Sequence, residues 1–261
     1  MVCTKMLSKR SFIKKASFGL AGTLLVGPLT TFAEQAAFNS VDYNADKGLT
    51  ILFQGDSITD GNHGREEWDL NHIMGHGYAY SIASRLGADH PEKHLKFINR
   101  GISGNRITDL AARWKPDTLD LQPDVLSILV GINDSDSYLK DKSNGVSVKT
   151  YADTYRSLLD QTKAKYPKVH FVLGEPFTLP FSSIEAEKTE RQRDVAARSA
   201  VVKQLAKEYN AAFIPYQQVF SDALKRAPEK YWIWDHIHPT VAGHEIMSRA
   251  WLKGAKQFMN L

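Results

Sequence analysis

Cysteine is almost absent from this 261-residue chain, and its single example, Cys3, precedes an apolar stretch near the N-terminus. If that N-terminal segment is removed, the chain has no thiol, which excludes disulfides, thiolate nucleophiles and cysteine metal sites. Internal repeats, low-complexity tracts and Pro/Gly/Ser-rich linkers are also missing. With 43% hydrophobic residues the chain can bury a sizeable core, and at this length one large domain is the expectation.

Acidic residues are missing from the first 33 positions, although five basic residues lie there. The formal charge of +4 arises in this segment, because the other 28 basic residues face 29 acidic ones. Without it the net charge is −1, so the composition excludes a strongly basic surface, and we expect no nucleic-acid partner.

The basic start is followed by an apolar stretch at residues 16–29 and by Thr31-Phe32-Ala33. This pattern predicts a secretory signal peptide over residues 1–33, a single domain over residues 34–261, and a protein exported to the periplasm or the exterior. No stable membrane insertion is expected after signal removal, since a span needs about 20 apolar residues. Residues 8–14 resemble a twin-arginine signal in which Lys9 replaces the first arginine, which leaves the export route open.

Short apolar runs rich in β-branched and aromatic residues alternate with longer segments of helical spacing. The run at residues 125–130 is nearly continuous in apolar side chains, which is typical of a central parallel strand covered on both faces. The pattern therefore predicts an α/β sandwich, in which functional residues gather beyond the carboxyl ends of the strands. The predicted strands are residues 50–53, 95–98, 125–130, 169–173 and 212–214.

Polar segments containing glycine follow the first three predicted strands: residues 55–60 (Gly-Asp-Ser-Ile-Thr-Asp), 99–105 (Asn-Arg-Gly-Ile-Ser-Gly-Asn) and 131–134 (Gly-Ile-Asn-Asp). A fourth, residues 234–239 (Trp-Asp-His-Ile-His-Pro), precedes the last predicted helix. Together they hold the residue types of a serine hydrolase.

A serine hydroxyl is a poor nucleophile at neutral pH, so acyl transfer needs a histidine base and a carboxylate that orients it. Ser57, His238 and Asp235 are the candidates for these three roles. The backbone N–H groups of Ser57 and Gly104 and the side-chain amide of Asn133 are the candidate donors of an oxyanion hole. Such a mechanism needs no cofactor, and we expect neither a cofactor nor a metal.

In order and character the four segments resemble the four sequence blocks of the SGNH/GDSL hydrolase superfamily, over about residues 49–256. The resemblance implies a three-layer α/β/α sandwich around a five-stranded parallel sheet, which is a flavodoxin-like arrangement. It further implies that Ser57 is the nucleophile, that Ser57, Gly104 and Asn133 form the oxyanion hole, and that Asp235 and His238 complete the triad.

Four segments look more closely like the acetyl-xylan esterase subgroup: residues 53–60, residues 99–109 with Arg113-Trp114, residues 130–134 and residues 234–244. This likeness implies removal of acetyl groups from an acetylated oligosaccharide or polysaccharide, namely xylan or xylo-oligosaccharides, through an acetyl-enzyme. It also suggests a homo-oligomer, because related esterases assemble into rings. The segments that depart from the subgroup are expected to border a cleft: residues 62–77, 136–148 and 178–190.

Three other functions stay open on the sequence alone. A lysophospholipase or thioesterase would use the same scaffold with an apolar groove for a long acyl chain. A carbohydrate-binding protein with an inactive site would use the scaffold without chemistry. A metal-dependent phosphodiesterase would use Asp56, Asp134 and Asp235. Separately, His72 and His76 have the spacing of a metal pair on a helix, but Gly75 and Gly77 argue for a loop there, so this pair is a weak candidate.

Several residues near the candidate triad have plainer interpretations. We expect Ser103 to shape the loop at residues 99–105, called the glycine loop below. We expect His236 to be an exposed loop residue, and Asp134 to cap the helix after the third strand. Trp232 and Trp234 fit either a stacking wall for a sugar ring or packing under the last helix.

Overall fold

Five parallel strands form the centre of the computed structural model, which describes residues 48–66, 68–179 and 185–259. They are β1 (Thr50–Gly55), β2 (Lys96–Asn99), β3 (Val125–Leu129), β4 (His170–Gly174) and β5 (Ala212–Ile214). Their order across the sheet is β2-β1-β3-β4-β5, and each neighbouring pair is parallel. The α/β class and the five-stranded parallel sheet are confirmed, with strand ends displaced by one or two residues.

Helices lead from each strand to the next, as parallel pairing requires. The expected signal peptide, residues 1–33, lies outside the described residues, as does the middle of the segment predicted at 178–190. The described helices are α1 (Ser57–Asp60), α2 (Tyr78–Asp89), α3 (Ile107–Ala112), α4 (Trp114–Asp117), α5 (Ile132–Lys140), α6 (Val148–Lys165), α7 (Glu185–Glu208), α8 (Tyr216–Ala223), α9 (Glu229–Trp232) and α10 (Val241–Ala255).

Alternate residues of β1 enter two different cores, one on each face of the sheet. Ile51 and Phe53 lie in the first core, with residues of α2, α8 and α10, whereas Leu52 lies in the second core, with residues of α3, α6 and α7. This division follows from the period of two along a strand. The arrangement confirms the three-layer α/β/α sandwich.

Large aromatic side chains fill both cores, and a buried tryptophan in each core donates its indole N–H group to a hydroxyl oxygen. Trp251 packs on Phe53, with ring centroids 5.5 Å apart, and its Nε1 donates to Ser127 Oγ at 2.9 Å. On the other face, Trp114 Nε1 donates to Thr162 Oγ1 at 3.1 Å. Because buried indole N–H groups are costly without an acceptor, these bonds allow the large apolar rings to be buried.

The sheet places the candidate site at the carboxyl ends of its central strands. The chain leaves β1 towards β2 on one side, whereas β3 lies on the other side of β1, so the order of strands reverses there. At such a switch point the connecting loops diverge and leave a crevice. The predicted blocks at residues 55–60, 99–105 and 131–134 all leave the sheet at this edge.

The buried strand β3 gives a prediction for the stability of the fold. Leu126 is fully buried between β1 and β4 in the core that also holds Leu52, so Leu126→Ala should leave a cavity and lower the free energy of unfolding by about 2–5 kcal/mol. Urea unfolding followed by circular dichroism measures this change. The control Leu224→Ala, at an exposed leucine, should change it by less than about 0.5 kcal/mol; equal losses in the two variants would contradict the assigned packing.

Candidate active site

Ser57, His238 and Asp235 lie within hydrogen-bond distance of one another in an unbroken series. Ser57 Oγ is 2.7 Å from His238 Nε2, and His238 Nδ1 is 2.6 Å from Asp235 Oδ2. With Nδ1–H donated to the carboxylate, Nε2 is left to accept the serine proton. The structure therefore brings together, in this order, the three residues that the sequence marked as a candidate triad.

The position of Ser57 follows from a sharp turn between β1 and the one-turn helix α1. Asp56 precedes the helix, and its Oδ1 accepts from the Ile58 N–H at 3.0 Å as an N-cap. The helix ends at Gly61, whose φ of +51° favours glycine. As the first helical residue, Ser57 has an N–H group with no acceptor inside the helix, which leaves that group available to a ligand.

Asp235 and His238 are held together by their own loop before either meets the serine. Asp235 Oδ1 accepts from the backbone N–H groups of Ile237 at 3.2 Å and His238 at 2.7 Å, while Oδ2 faces the imidazole. Burial alone would raise the pKa of Asp235, but these hydrogen bonds outweigh it and hold the pKa below its ordinary 3.8. The carboxylate is therefore ionised at neutral pH and oriented towards His238.

Helix α10 anchors this loop to the rest of the fold. Thr240 is the N-cap of the helix, its Oγ1 accepting from the Gly243 N–H at 3.2 Å. One turn later, His244 Nδ1 accepts from the Tyr78 N–H at 3.1 Å, at the start of α2. Burial lowers the pKa of His244 to about 4, which keeps the ring neutral and able to accept. The loop that carries His238 is thereby fixed to the first core.

Gly104 and Asn133, the other candidate oxyanion donors, lie on neighbouring segments at the same edge. Gly104 has a φ of +82°, and a Cβ built there would meet no atom within 4 Å, so open space lies beside it. Asn133 is the second residue of α5, and its Nδ2 donates to the carbonyl of Asn105 at 3.2 Å. That bond ties the Asn133 amide to the residue that follows Gly104.

Asp134 caps a helix, but a different one from that expected. It is the third residue of α5, whereas the N-cap of that helix is Gly131. Its buried Oδ1 instead accepts from the Ile107 N–H at 3.0 Å, at the start of α3. The expectation that Asp134 caps its own helix is wrong because its side chain points across to the neighbouring loop.

The structure shows the contacts or the burial of the other residues considered near the triad. Ser103 donates to Asp60 and so shapes the glycine loop, as expected, and His236 lies with its Nδ1 3.0 Å from Glu229 Oε1. Trp232 is buried, whereas the Trp234 side chain is 64% exposed and its ring lies roughly parallel to that of His238, with centroids 6.2 Å apart. Only Trp234 is accessible to a substrate.

The described residues contain no group of three or more His, Cys, Asp or Glu side chains placed to hold a metal ion. Two of the aspartates considered for a metal site, Asp56 and Asp134, each accept from a backbone N–H group instead.

Comparison with known proteins addresses the family directly. Residues 53–246 match the sequence model of the GDSL-like lipase/acylhydrolase family. The chain belongs to this family. An acetylxylan esterase from Geobacillus stearothermophilus is 37% identical over 212 residues, which are 79% of this chain and 93% of that protein. The chain is therefore a serine esterase, and the expectation of an SGNH/GDSL hydrolase is confirmed.

Solved structures agree with the family assignment. A protein from Parabacteroides merdae, described as a GDSL-like lipase, superposes with a TM-score of 0.74 at 38% identity, covering 80% of this chain and 96% of that one. The crystal structure of the Geobacillus stearothermophilus acetylxylan esterase superposes with a TM-score of 0.72 at 37% identity, covering 80% and 94%. Both similarities extend over nearly the whole of the solved chains.

Two residues of the family blocks have contacts that sequence reasoning did not assign. Asp60, at the end of α1, accepts from both the backbone and the side chain of Ser103. Asn105 accepts from Asn133 through its carbonyl and from Arg113 Nε through its side chain, at 2.9 Å. Both lie inside the quoted blocks, so the position within a block was the available signal, while their partners lie elsewhere: Ser103 and Asn133 in other blocks, and Arg113 outside all four.

Burial raises the pKa of two carboxyl groups beside the site. The pKa of Asp56 rises to about 7 and that of Asp134 to about 6, in both cases mainly because burial disfavours the charged form. Hydrogen bonds from the Ile58 and Ile107 N–H groups oppose these shifts only in part. Both groups therefore bind a proton more tightly in the folded chain than in the unfolded one.

The shift at Asp56 predicts how stability depends on pH. A carboxyl group whose folded-state pKa is raised contributes most stability below about pH 4, and that contribution is lost as the pH rises through 7. Asp56→Asn removes this dependence while keeping an oxygen for the Ile58 N–H. The free energy of unfolding of the variant, relative to wild type, should thus grow between pH 4 and pH 7 by up to about 1.4 kcal/mol for each pH unit.

Urea unfolding at a series of pH values measures this difference, with Asp89→Asn on the exposed side of α2 as the matched control. A difference between Asp56→Asn and wild type that stays constant with pH would contradict the assigned environment of Asp56.

Proposed function

We propose that the chain removes O-acetyl groups from carbohydrate, with xylan or xylo-oligosaccharides as substrate. In this proposal Ser57 is the nucleophile, His238 the general base and then the general acid, and Asp235 the residue that orients His238. The observation that carries it is the unbroken hydrogen-bond series from Ser57 Oγ through His238 to Asp235. The substrate class is supported by the similarity to an acetylxylan esterase over most of the chain.

The first half of the reaction forms an acetyl-enzyme. Ser57 Oγ attacks the acetyl carbonyl carbon while its proton passes to His238 Nε2. The negative charge on the carbonyl oxygen is stabilised by the N–H groups of Ser57 and Gly104 and by Asn133 Nδ2. The bond between the carbonyl carbon and the sugar oxygen then breaks, and the sugar oxygen receives the proton held by His238.

The second half releases acetate. A water molecule gives a proton to His238 Nε2 and adds to the acetyl carbonyl carbon, again with the oxygen charge held by the three donors. The bond to Ser57 Oγ breaks, the serine recovers the proton from His238, and acetate leaves. Asp235 stays ionised throughout, because its hydrogen bonds keep its pKa low, and it stabilises the imidazolium of both halves.

An exposed aromatic surface next to the base supports a carbohydrate leaving group. The Trp234 ring lies roughly parallel to the His238 imidazole, and Trp234 is largely exposed to solvent. Apolar faces of sugar rings pack on indole rings, so a sugar on Trp234 would have its hydroxyl oxygen close to the proton donor.

We further propose that residues 1–33 are a signal peptide, that residues 34–261 form one domain, and that the enzyme acts outside the cytoplasm, in the periplasm or the exterior. The charge pattern of the N-terminal segment and the polymeric nature of the proposed substrate support export. None of the helices in the described ranges is long and apolar enough to cross a bilayer. A homo-oligomer is proposed from the resemblance to esterases that assemble into rings.

The proposed chemistry predicts that acetate release depends on Ser57. Wild-type residues 34–261 should release acetate from acetylated xylan, and Ser57→Ala should lower turnover by at least about a thousand-fold, since the triad acts as a unit. Enzymatic determination of acetate measures release, and circular dichroism verifies that the variant is folded. Hydrolysis of p-nitrophenyl acetate serves as a check of competence.

The outcomes separate the parts of the proposal. Full activity in Ser57→Ala would refute the nucleophile. Serine-dependent cleavage of p-nitrophenyl acetate without acetate release from xylan would refute the substrate. Faster cleavage of octanoyl than of acetyl esters would favour the lysophospholipase or thioesterase, and failure of a covalent serine probe to label Ser57 would favour a carbohydrate-binding protein.

The position of Trp234 predicts a change in substrate binding alone. Trp234→Ala should raise KM for acetylated xylo-oligosaccharides by about 3- to 10-fold, because the sugar loses an aromatic surface, while KM for p-nitrophenyl acetate stays unchanged. Steady-state kinetics on the two substrates measure this, with Tyr80→Ala as a control at an exposed aromatic residue of α2. An equal rise on both substrates would show that Trp234 supports the triad rather than the sugar.

A further inference from the structure

We propose that Asp60 is a positioning residue that fixes the Gly104 N–H in the oxyanion hole. The inference rests on the proposed roles of Ser57 and Gly104. It concerns a side chain that lies three residues beyond the serine, on the same one-turn helix α1.

The carboxylate of Asp60 holds the glycine loop directly. Its Oδ2 accepts from the Ser103 N–H at 3.1 Å and from Ser103 Oγ at 2.8 Å. Asp60 is only 4% exposed, so these bonds are shielded from water. Since Gly104 follows Ser103 in the chain, two bonds to Ser103 fix the start of the peptide unit whose N–H would face the substrate oxygen.

The second oxygen of the Asp60 carboxylate, Oδ1, also has several hydrogen-bond partners. Asp60 Oδ1 accepts from the His63 N–H at 3.2 Å and lies 2.8 Å from His63 Nδ1. Arg65 Nη2 lies 3.1 Å from Oδ1 and 3.2 Å from Oδ2. Burial alone would raise the pKa of Asp60, but the bonds from His63 and Ser103 and the charge of Arg65 hold it well below its ordinary 3.8.

Backbone packing reinforces the same junction. Asn99 Nδ2 donates to the carbonyls of Thr59 at 2.8 Å and Asp60 at 3.2 Å, and Asn99 Oδ1 accepts from the Gly101 N–H at 2.9 Å. A Cβ at Gly101 would lie 2.4 Å from the Asp60 nitrogen, so only glycine allows this approach. The glycine loop therefore lies against the end of α1, while Ser57 stands at its beginning.

Helix α1 therefore sets the distance between Ser57, at its first position, and Gly104, whose neighbour Ser103 is bonded to Asp60 at its last position. Oxyanion donors contribute only when they lie about 2.7–3.1 Å from the developing charge, so a small displacement of the Ser103–Gly104 peptide is costly in the transition state. The uncharged substrate carbonyl depends on that donor much less. Loss of the carboxylate should accordingly lower kcat and leave KM almost unchanged.

Asp60→Asn tests the inference, because an amide cannot replace the carboxylate in either orientation. The Ser103 N–H and the His63 N–H, one at each oxygen, are obligatory donors, so the NH₂ group of asparagine would face a donor whichever way it turned. With p-nitrophenyl acetate we expect kcat to fall about 10- to 100-fold with KM within about twofold. The inhibition constant of methylboronic acid, whose adduct on Ser57 places an oxygen in the hole, should rise by the same factor.

The matched control is Asp124→Asn at the opposite edge of the sheet, where Asp124 Oδ2 accepts from the Thr50 N–H at 2.8 Å. It makes the same exchange of carboxylate for amide away from the site and keeps an oxygen for that N–H, so kcat and the boronate inhibition constant should stay within about twofold. Rates are divided by the concentration of active sites, so that a loss of folded protein alone changes neither quantity.

A second variant keeps the inference falsifiable if Asp60→Asn does not fold. Ser103→Ala removes one of the two bonds and keeps the backbone one, so a fall in kcat of about 3- to 10-fold and an equal rise in the boronate inhibition constant are expected. Unchanged kcat and inhibition constant in the folded variant would overturn the role of Asp60. Absence of Ser57-dependent hydrolysis in wild type would instead overturn the proposed function.

Discussion

Parallel pairing of the strands is the constraint on which the rest of this molecule depends. Because β1, β2 and β3 run in one direction, the segments that follow them leave the sheet at one edge, and Ser57, Gly104 and Asn133 all come within a few residues of a strand end. The fourth segment has no strand of its own. His238 lies in the loop before α10, and α10 packs on α2, where the neutral His244 ring accepts from the Tyr78 N–H. Packing in the first core therefore helps to hold His238 in place beside the sheet edge that carries Ser57.

Three carboxyl groups around the site show how the number of donors decides the charge state of a buried acid. Asp56 and Asp134 each accept from the N–H group of another residue, Ile58 and Ile107, and burial prevails, so their pKa values rise. Asp60 receives bonds from His63, Ser103 and Arg65, and its pKa falls. Burial raises the pKa of all three groups, but at Asp60 the hydrogen bonds and the charge of Arg65 outweigh it. As a result, Asp60 stays ionised beside the glycine loop at neutral pH, whereas Asp56 and Asp134 bind and release a proton closer to neutral pH.

Features that depend on local sequence were predictable, and features that depend on partners from distant segments were not. The sheet followed from apolar runs bounded by turn residues, and the candidate triad from residue types in family order, because both are written in contiguous stretches. The partner of Asp134 lies 27 residues away at Ile107, and that of Asp60 lies 43 residues away at Ser103, so no local pattern reveals them. Trp232 and Trp234 looked equivalent, yet α9 ends between them, which buries the first and exposes the second.

The contacts between the blocks form a closed ring, and this closure gives the site its stiffness. Asp60 joins the segment at residues 55–60 to the glycine loop through its bonds with Ser103. The segment at residues 131–134 is joined to the glycine loop by the bond from Asn133 Nδ2 to the Asn105 carbonyl. It is joined to the start of α3, which follows that loop, by the bond from the Ile107 N–H to Asp134. Pairing of β1 with β3, with Gly55 opposite Leu129, closes the ring. Moving any one loop disturbs contacts to both of the others, so the donors keep their spacing while the flanking loops remain free to vary with substrate.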